Sequence, residues 1–281
     1  MSVSLEFDSV AYRIGQKTLV SDISLTFPAG SVTAVIGPNG SGKSTFLKLA
    51  SRLLAPSEGN IRLGGKPLKH FRQRELSQQL ALLPQSAPRP LGMLIEDLVA
   101  CGRHPHRSVL GRMTQHDQEM IEWALQLVSL ADRRKERVDV LSGGEMQRVW
   151  LAMILAQDTP MILLDEPTSY LDLSHQFELL ELVQDINHQL NKSIVWILHD
   201  INQALQFSHQ ILLMRQGAPA FFGNPEHLLE LPILNDTFQL QTTRVELPDG
   251  NTYLHCRSRT SRRQHQLNHC RKPSLEEVNC D

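Results

Sequence analysis

A chain of 281 residues, 41% hydrophobic and 21% charged, carries enough apolar material for one large core or two smaller ones, which excludes disordered and fibrous classes. Its formal net charge of −2 leaves no surplus of cations to neutralise a phosphate backbone, so no nucleic-acid partner is expected. No apolar run approaches the roughly 20 residues that span a bilayer. The N-terminus lacks the basic start and apolar block of a secretory signal, and the four cysteines show no CxxC spacing, so a cytosolic chain with reduced thiols is expected.

Residues 3–14 and 19–27 alternate polar and apolar side chains and precede the turn Pro28-Ala29-Gly30, which predicts antiparallel strands. The run SVTAVIG from Ser31 predicts a buried strand, and after a Gly-rich loop TFLKLASRLL has helical spacing and should stop before Pro56. A short hairpin is expected around IRLGGKPL and a strand at LALLPQ. Residues of about 92–157 read as a mostly helical insert, on the strength of the helical spacing in MIEWALQLVSL. MILLDEP and SIVWILHD are two further buried strands separated by a helical segment, the alternation of a parallel sheet flanked by helices. ILLMRQGAPAFFG and VELPDGNTYLH have hairpin character, and from about Arg257 a basic tail without apolar periodicity should be disordered. The expected division is therefore a domain over 1–256 and a tail over 257–281.

Gly37-Pro38-Asn39-Gly40-Ser41-Gly42-Lys43-Ser44-Thr45 satisfies G-x-x-x-x-G-K-[ST] between a strand and a helix, the context in which that pattern has a mechanism. Glycines let backbone N–H groups turn inward around phosphate oxygens, the helix N-terminus adds positive potential, Lys43 reaches the outer phosphates, and Ser44 can ligate Mg²⁺. A nucleoside triphosphate is the natural ligand. With Gly at about 7% of residues the pattern arises by chance in about one such chain in a hundred, so the loop needs corroboration.

Asp165 and Glu166 end an apolar strand at the carboxyl edge where α/β sheets bind ligands. Asp165 is suited to hold Mg²⁺, while Glu166, expected on the other side of the strand, could polarise an attacking water. His199 ends the next buried strand, where its imidazole could orient Glu166 and bond the γ-phosphate. Gln85 ends LALLPQ, within possible reach of the metal or the water. Leu141-Ser142-Gly143-Gly144-Glu145 lies just before the helical MQRVWLAMILAQ, so a serine hydroxyl and glycine amides at that helix N-terminus form a second anion-binding turn. Two anion sites in one chain make sense if two copies face each other head to tail.

Taken in order, GPNGSGKST, Gln85, LSGGE, ILLDEP, TSYLD and His199 resemble the Walker A, Q-loop, signature, Walker B, D-loop and H-loop of ABC ATPases, over about residues 3–230. The resemblance implies an α/β fold of the P-loop NTPase type, with a mixed RecA-like core, an N-terminal antiparallel β subdomain and an α-helical signature subdomain. It further implies that Tyr12 stacks on adenine, that Ser142, Gly143, Gly144 and Glu145 contact ATP on the opposite protomer, that Asp172 links the two sites and that Glu166 is the catalytic base. Gln is the family's usual residue at the position of Glu145. ACGRHPHRSVLGR, VWLAMILAQDTP and DEPTSYLDLSHQ resemble the ATPase subunits of bacterial importers for iron(III)-siderophores, haem and cobalamin, siderophore members above all. The implied assembly is an ATPase homodimer using ATP and Mg²⁺, peripheral on the cytoplasmic face of the inner membrane, with permease subunits and, indirectly, a substrate-binding protein. Residues 84–107 would form the groove for the permease, with Leu91, Met93 and Leu94 either in that groove or in the core. The Cys/His-bearing tail, with His255, Cys256, His265, His269, Cys270 and Cys280, lacks regular metal-ligand spacing.

Overall fold

The computed structural model describes residues 2–107, 111–169, 171–246 and 252–259. The alternating N-terminal segments become β1 (Leu5–Ile14) and β2 (Lys17–Phe27), paired antiparallel, with Leu5, Val10, Val20, Ile23 and Phe27 turned inward and buried. β3 (Val32–Ile36), buried at every residue, leaves this sheet for a second one and runs into the phosphate loop. α1 (Lys43–Ala50) follows, and its Phe46 stacks on Phe7 of β1 with ring centroids 4.8 Å apart, which ties the antiparallel sheet to the loop's helix. The helix starts two residues before the expected segment and ends at Ala50, well short of Pro56. Arg52 takes a left-handed backbone (φ 60°) while its guanidinium donates to the carbonyls of Leu68 at 3.0 Å and Phe71 at 2.6 Å. Tertiary hydrogen bonds thus end the helix where local spacing would continue it.

β4 (Glu58–Leu63) and β5 (Lys66–Pro67) return to the first sheet and give it the order β2-β1-β4-β5. After the short α2 (Gln73–Ser77), β6 (Leu80–Leu83) forms the edge of the second sheet. α3 (Ile95–Ala100), α4 (Gln115–Leu127) and α5 (Gly143–Ala156) then pack on one another as a helical unit before β7 (Met161–Asp165). Gly102 allows this packing: a Cβ there would stand 2.1 Å from the Met153 carbonyl of α5. Next to it Arg103, 2% exposed, donates to Asp117 at 2.8 Å and to the Ala156 carbonyl at 2.7 Å. Asp117 also caps α4 through Thr114, so one buried ion pair locks the start of α4 to the end of α5. Burial would raise the Asp117 carboxyl, but the Thr114 hydrogen bonds and Arg103 draw it down to about 2.

α6 (Leu173–Leu190), β8 (Ser193–Ile197), α7 (Ile201–Phe207), β9 (Gln210–Arg215) and β10 (Ala218–Gly223) complete the second sheet in the order β10-β9-β3-β8-β7-β6. Its pairs are parallel except β9 with β10, so the sheet is mixed, as expected. Crossovers within the order set β3, β8, β7 and β6 side by side with their carboxyl ends on one edge.

α8 (Pro225–Glu230) and α9 (Ile233–Phe238) lead to a hairpin of β11 (Leu240–Glu246) and β12 (Thr252–Ser258). The hairpin is latched to α7: Leu254 N–H donates to Asn202 Oδ1 at 2.7 Å, and Asn202 Nδ2 donates back to the Leu254 carbonyl at 3.3 Å. β12 runs through Arg257, which pairs with Gln241, so the boundary expected at 256/257 falls inside a strand. Arg257 belongs to the fold because backbone pairing does not require an apolar side chain. His265, His269, Cys270 and Cys280 lie outside the described residues. Among the described residues no helix is long and apolar enough to cross a membrane.

Candidate nucleotide site

The phosphate loop joins β3 to α1. Gly37 lies against β9 so closely that a Cβ would stand 2.3 Å from the Met214 carbonyl, and Gly42, at φ 99°, would place one 2.9 Å from the Leu19 carbonyl. Both positions therefore require glycine. Lys43, 6% exposed, donates to the carbonyls of Gly37 at 2.8 Å and Pro38 at 3.1 Å, which holds its ammonium under the loop. Burial pushes that ammonium below the usual lysine range, and the carboxylates of Glu166 and Asp165 oppose the shift. Ser41 Oγ is buried without a protein partner. A cavity of about 490 Å³ opens over the loop, lined by Asn39, Gly40, Gly42, Lys43, Ser44 and Thr45, with Glu166 on one side and Lys17, Thr18, Leu19, Gln216 and Gly217 on the other. Tyr12 is not among these lining residues; it sits on β1 opposite Val20, partly buried against the antiparallel-sheet core.

The two carboxylates at the end of β7 lie in different settings because the backbone turns at the second of them. Asp165 is the last strand residue and pairs with Ile197 of β8. Glu166, at φ 54°, turns over the sheet edge in a backbone region that non-glycine residues seldom occupy. Its side chain, 9% exposed, lies among three polar neighbours. Gln85 Nε2 donates to Glu166 Oε2 at 2.6 Å, Ser169 Oγ donates to the same oxygen at 3.2 Å, and His199 Nε2 lies 2.7 Å from Oε1. Gln85 follows β6 and His199 follows β8, so the strand order around β7 assembles the group.

Asp165 Oδ1 is buried and bonds to no protein atom. Burial, followed by the repulsion of Glu166, pushes its carboxyl up to about 6 against the pull of Lys48, Lys43 and His199. A buried carboxylate oxygen without a donor, close enough to the phosphate loop to feel the Lys43 ammonium, is the kind of ligand a hard divalent cation takes.

The turn Ser142–Glu145 stands apart from this cavity. Ser142 and Gly143 are exposed, and Ser142 caps α5. Gly144 faces Leu171 and His175, where a Cβ would meet Leu171 Cδ2 at 3.4 Å. Asp172 caps α6, accepting from His175 N–H at 3.0 Å and lying 2.7 Å from the His175 ring Nδ1. Tyr170, in the expected D-loop, lies outside the described residues. Downstream of Gln85, Arg89 Nη1 donates to the Leu141 carbonyl at 3.2 Å and ties that stretch to the residue before Ser142. Leu91 is 84% exposed, whereas Met93 packs against the core and Leu94 is partly buried.

Residues 20–169 match the family model described as ABC transporter. The chain is 38% identical to the iron(3+)-hydroxamate import ATP-binding protein of Bacillus subtilis (strain 168), across 88% of this chain and 92% of that protein. This chain belongs to the ABC transporter ATPases. It is also 36% identical to the ferric enterobactin transport ATP-binding protein of Escherichia coli (strain K12), across 89% of this chain and 92% of that protein. Among solved structures, a metal-chelate type ABC transporter in an inward-facing conformation superposes with TM-score 0.78 at 25% identity, covering 91% of this chain and 97% of that one.

ATP binding and ATP hydrolysis coupled to transport come with membership of the ABC family. Several contributors to the site escaped the sequence. Ser169 is the middle of an ordinary Thr-Ser-Tyr run, Lys48 reads as an exposed helix lysine, Lys17-Thr18-Leu19 opens an ordinary alternating strand, and Gln216-Gly217 reads as a hairpin turn. Only the last lies where the fold explains it: the turn follows β9, which pairs with the strand that runs into the loop, and it lines the same cavity.

Proposed function

We propose that this chain is the ATP-hydrolysing subunit of a bacterial importer for iron(III)-siderophore complexes, peripheral on the cytoplasmic face of the inner membrane. The cargo is supported by the relatives, which include import proteins for iron(3+)-hydroxamate, petrobactin and ferric enterobactin. The motor reading is carried by one observation: a single Glu166 carboxylate held by Gln85 and His199 at the mouth of the phosphate-loop cavity.

In this reading the loop N–H groups and Lys43 hold the triphosphate, and Tyr12 supplies the adenine face. Asp165, Ser44 and the Gln85 amide oxygen would hold Mg²⁺, which offsets phosphate charge when bound. Glu166 accepts the proton of the attacking water while His199 orients it. With Oε2 engaged by Gln85 and Ser169, and Oε1 by His199, Glu166 keeps one acceptor site free for water, and release of a partner would open another. Movement of the segment after Gln85 would make that release. The permease would act there: a hollow of about 790 Å³ between α3 and α4, bordered by Glu96, Asp97, Trp123 and Arg134, adjoins that segment on the helical unit.

A second copy of the chain, facing the first head to tail, would bring its Ser142 turn onto this nucleotide, with Asp172 at the junction. Val140 and Leu173, each 68% exposed beside the signature turn and at the start of α6, give such a partner apolar surface to cover. A substrate-binding protein would act on the permease and not on this chain.

The test is uptake of labelled iron(III)-hydroxamate by cells lacking this chain. Uptake should fall, return with the wild-type chain and stay low with Lys43→Ala. Affinity purification of the Glu166→Gln protein with ATP from solubilised membranes should recover a polytopic permease. Normal uptake in the deletion strain, with only soluble partners recovered, would refute the reading.

A further inference from the structure

Glu145 stands third in α5, immediately behind the exposed Ser142 and Gly143, and its carboxylate is held from two sides. Oε2 accepts the Ser142 N–H at 2.8 Å, and Ser142 Oγ accepts the Glu145 N–H at 3.3 Å, a reciprocal cap. Oε1 pairs with Arg133 Nη1. Arg133 comes from a turn that lies across the start of α3, where Ile95 N–H donates to the Glu136 carbonyl and Glu96 N–H to that of Arg134, both at 2.9 Å. Its Nε and Nη2 both donate to Glu136 Oε2, at 3.0 Å and 2.8 Å. One cation therefore bridges two carboxylates, and its loss would double the net negative charge behind the signature turn. The Arg133 hydrogen bond, followed by those from Ser142, holds the Glu145 carboxyl down to about 2, so it is ionised under working conditions.

A carboxylate at this place is costly if the turn is to receive phosphate. An incoming triphosphate would meet a like charge a few ångströms behind the donors that bind it. A helix N-terminus tolerates one anion well, and here its own side chain already supplies it.

We infer that Arg133 is a positioning residue for the signature turn: it pins the Glu145 carboxylate back onto its own helix and offsets its charge, so that a nucleotide phosphate carried by a second copy of the chain can reach Ser142 and Gly143. The inference rests on the head-to-tail reading above. It assigns a role to a residue outside every motif in the sequence, and it explains how this chain accommodates Glu where an uncharged amide is usual. Arg133 touches neither nucleotide nor water. Its effect should appear in assembly around ATP and not in ATP binding to the isolated monomer.

The experiment measures ATP-dependent dimerisation by sedimentation in a Glu166→Gln background, where hydrolysis does not interfere, alongside fluorescent-ATP binding to the monomer. Arg133→Ala should weaken dimerisation about fivefold or more and leave monomer binding intact. Arg133→Lys should retain most of it, added salt should narrow the gap, and Glu145→Gln should suppress most of the defect because the carboxylate directly behind Ser142 is gone and only that of Glu136 remains. If Arg133→Ala lowers monomer binding through misfolding, Arg133→Gln, which can still bond Glu136, takes its place under the same expectations. Equal weakening with and without Glu145→Gln would make Arg133 a mere strut and overturn the inference, as would no weakening at all. If the Glu166→Gln parent fails to dimerise with ATP, the head-to-tail reading falls and the inference with it; a parent that dimerises while Arg133 proves indifferent removes the inference alone.

Discussion

His199 Nε2 lies 2.7 Å from Glu166 Oε1, and the two residues follow neighbouring strands whose register sets Asp165 opposite Ile197. The contact therefore depends on strand pairing in the sheet core. Gln85, following the strand on the other flank of β7, holds the opposite oxygen of the same carboxylate. A proton acceptor gripped from both sides is placed accurately but has little acceptor capacity to spare, which makes release of one grip a natural control point for hydrolysis.

Glu166→Gln should abolish most turnover while sparing ATP binding. The amide matches the carboxylate in shape and can still accept from Gln85, but it cannot take a proton from water. Loss of a general base costs about 10²–10⁴ in rate. Phosphate release measured beside fluorescent-ATP affinity checks this; a parallel fall in both would place Glu166 in binding and not in proton transfer.

Lys43→Ala should act in the opposite way. The ammonium is buried against the Gly37 and Pro38 carbonyls, so it is already aimed into the loop, and its charge-assisted bonds to phosphate are lost outright. Affinity for ATP should drop at least about tenfold. The rise in melting temperature that ATP produces in the wild-type protein should disappear at the same ATP concentration. An unchanged ATP-induced shift would remove Lys43 from the phosphate site.

The phosphate loop was legible in the sequence because its chemistry is local: the glycines, the lysine and the strand-to-helix context are contiguous. The carboxyl-edge positions of Gln85, Asp165 and His199 were legible too, since each closes an apolar run. The joining of Gln85 and His199 through Glu166 was not, because it depends on strand order and on a left-handed glutamate that no local pattern announces. The early end of α1 was likewise hidden in Arg52's bonds to distant carbonyls, and Arg133 belongs to no motif. Tyr12, assigned to adenine by resemblance, sits beside the cavity's β2 wall without lining it.

Asp165→Asn should stabilise the nucleotide-free protein at neutral pH. The native carboxyl is raised from 3.8 to about 6, so the folded state holds its proton more tightly than the unfolded chain does. The penalty on the fold is absent below about pH 4, grows as pH rises through about 6 and is complete above that. After discounting for solvent screening it is on the order of 1–2 kcal/mol. Melting temperatures of variant and wild type should therefore diverge between pH 4.5 and 7.5, with the variant higher at the upper end, while its hydrolysis falls. A constant difference across that range would mean that Asp165 titrates normally.

Breaking the Arg103–Asp117 pair should unfold the helical unit more readily than any change on its surface. Both residues are buried, 2% and 3% exposed, and Arg103 also satisfies the Ala156 carbonyl at the end of α5. Arg103→Ala leaves an ionised carboxylate without its counter-ion and a buried carbonyl without a donor, a loss of about 3–5 kcal/mol. Replacing both partners, Arg103→Met with Asp117→Leu, removes the stranded charge and should recover part of that loss, although the Thr114 cap of α4 goes with Asp117. Because Ser142 sits at the opposite end of α5, the single variant should also weaken ATP-dependent assembly while the phosphate loop, on the other unit, still binds ATP. Urea unfolding of both variants, with fluorescent-ATP binding as the control, decides it: a double variant no more stable than the single one would show that the pair contributes by packing and not by charge.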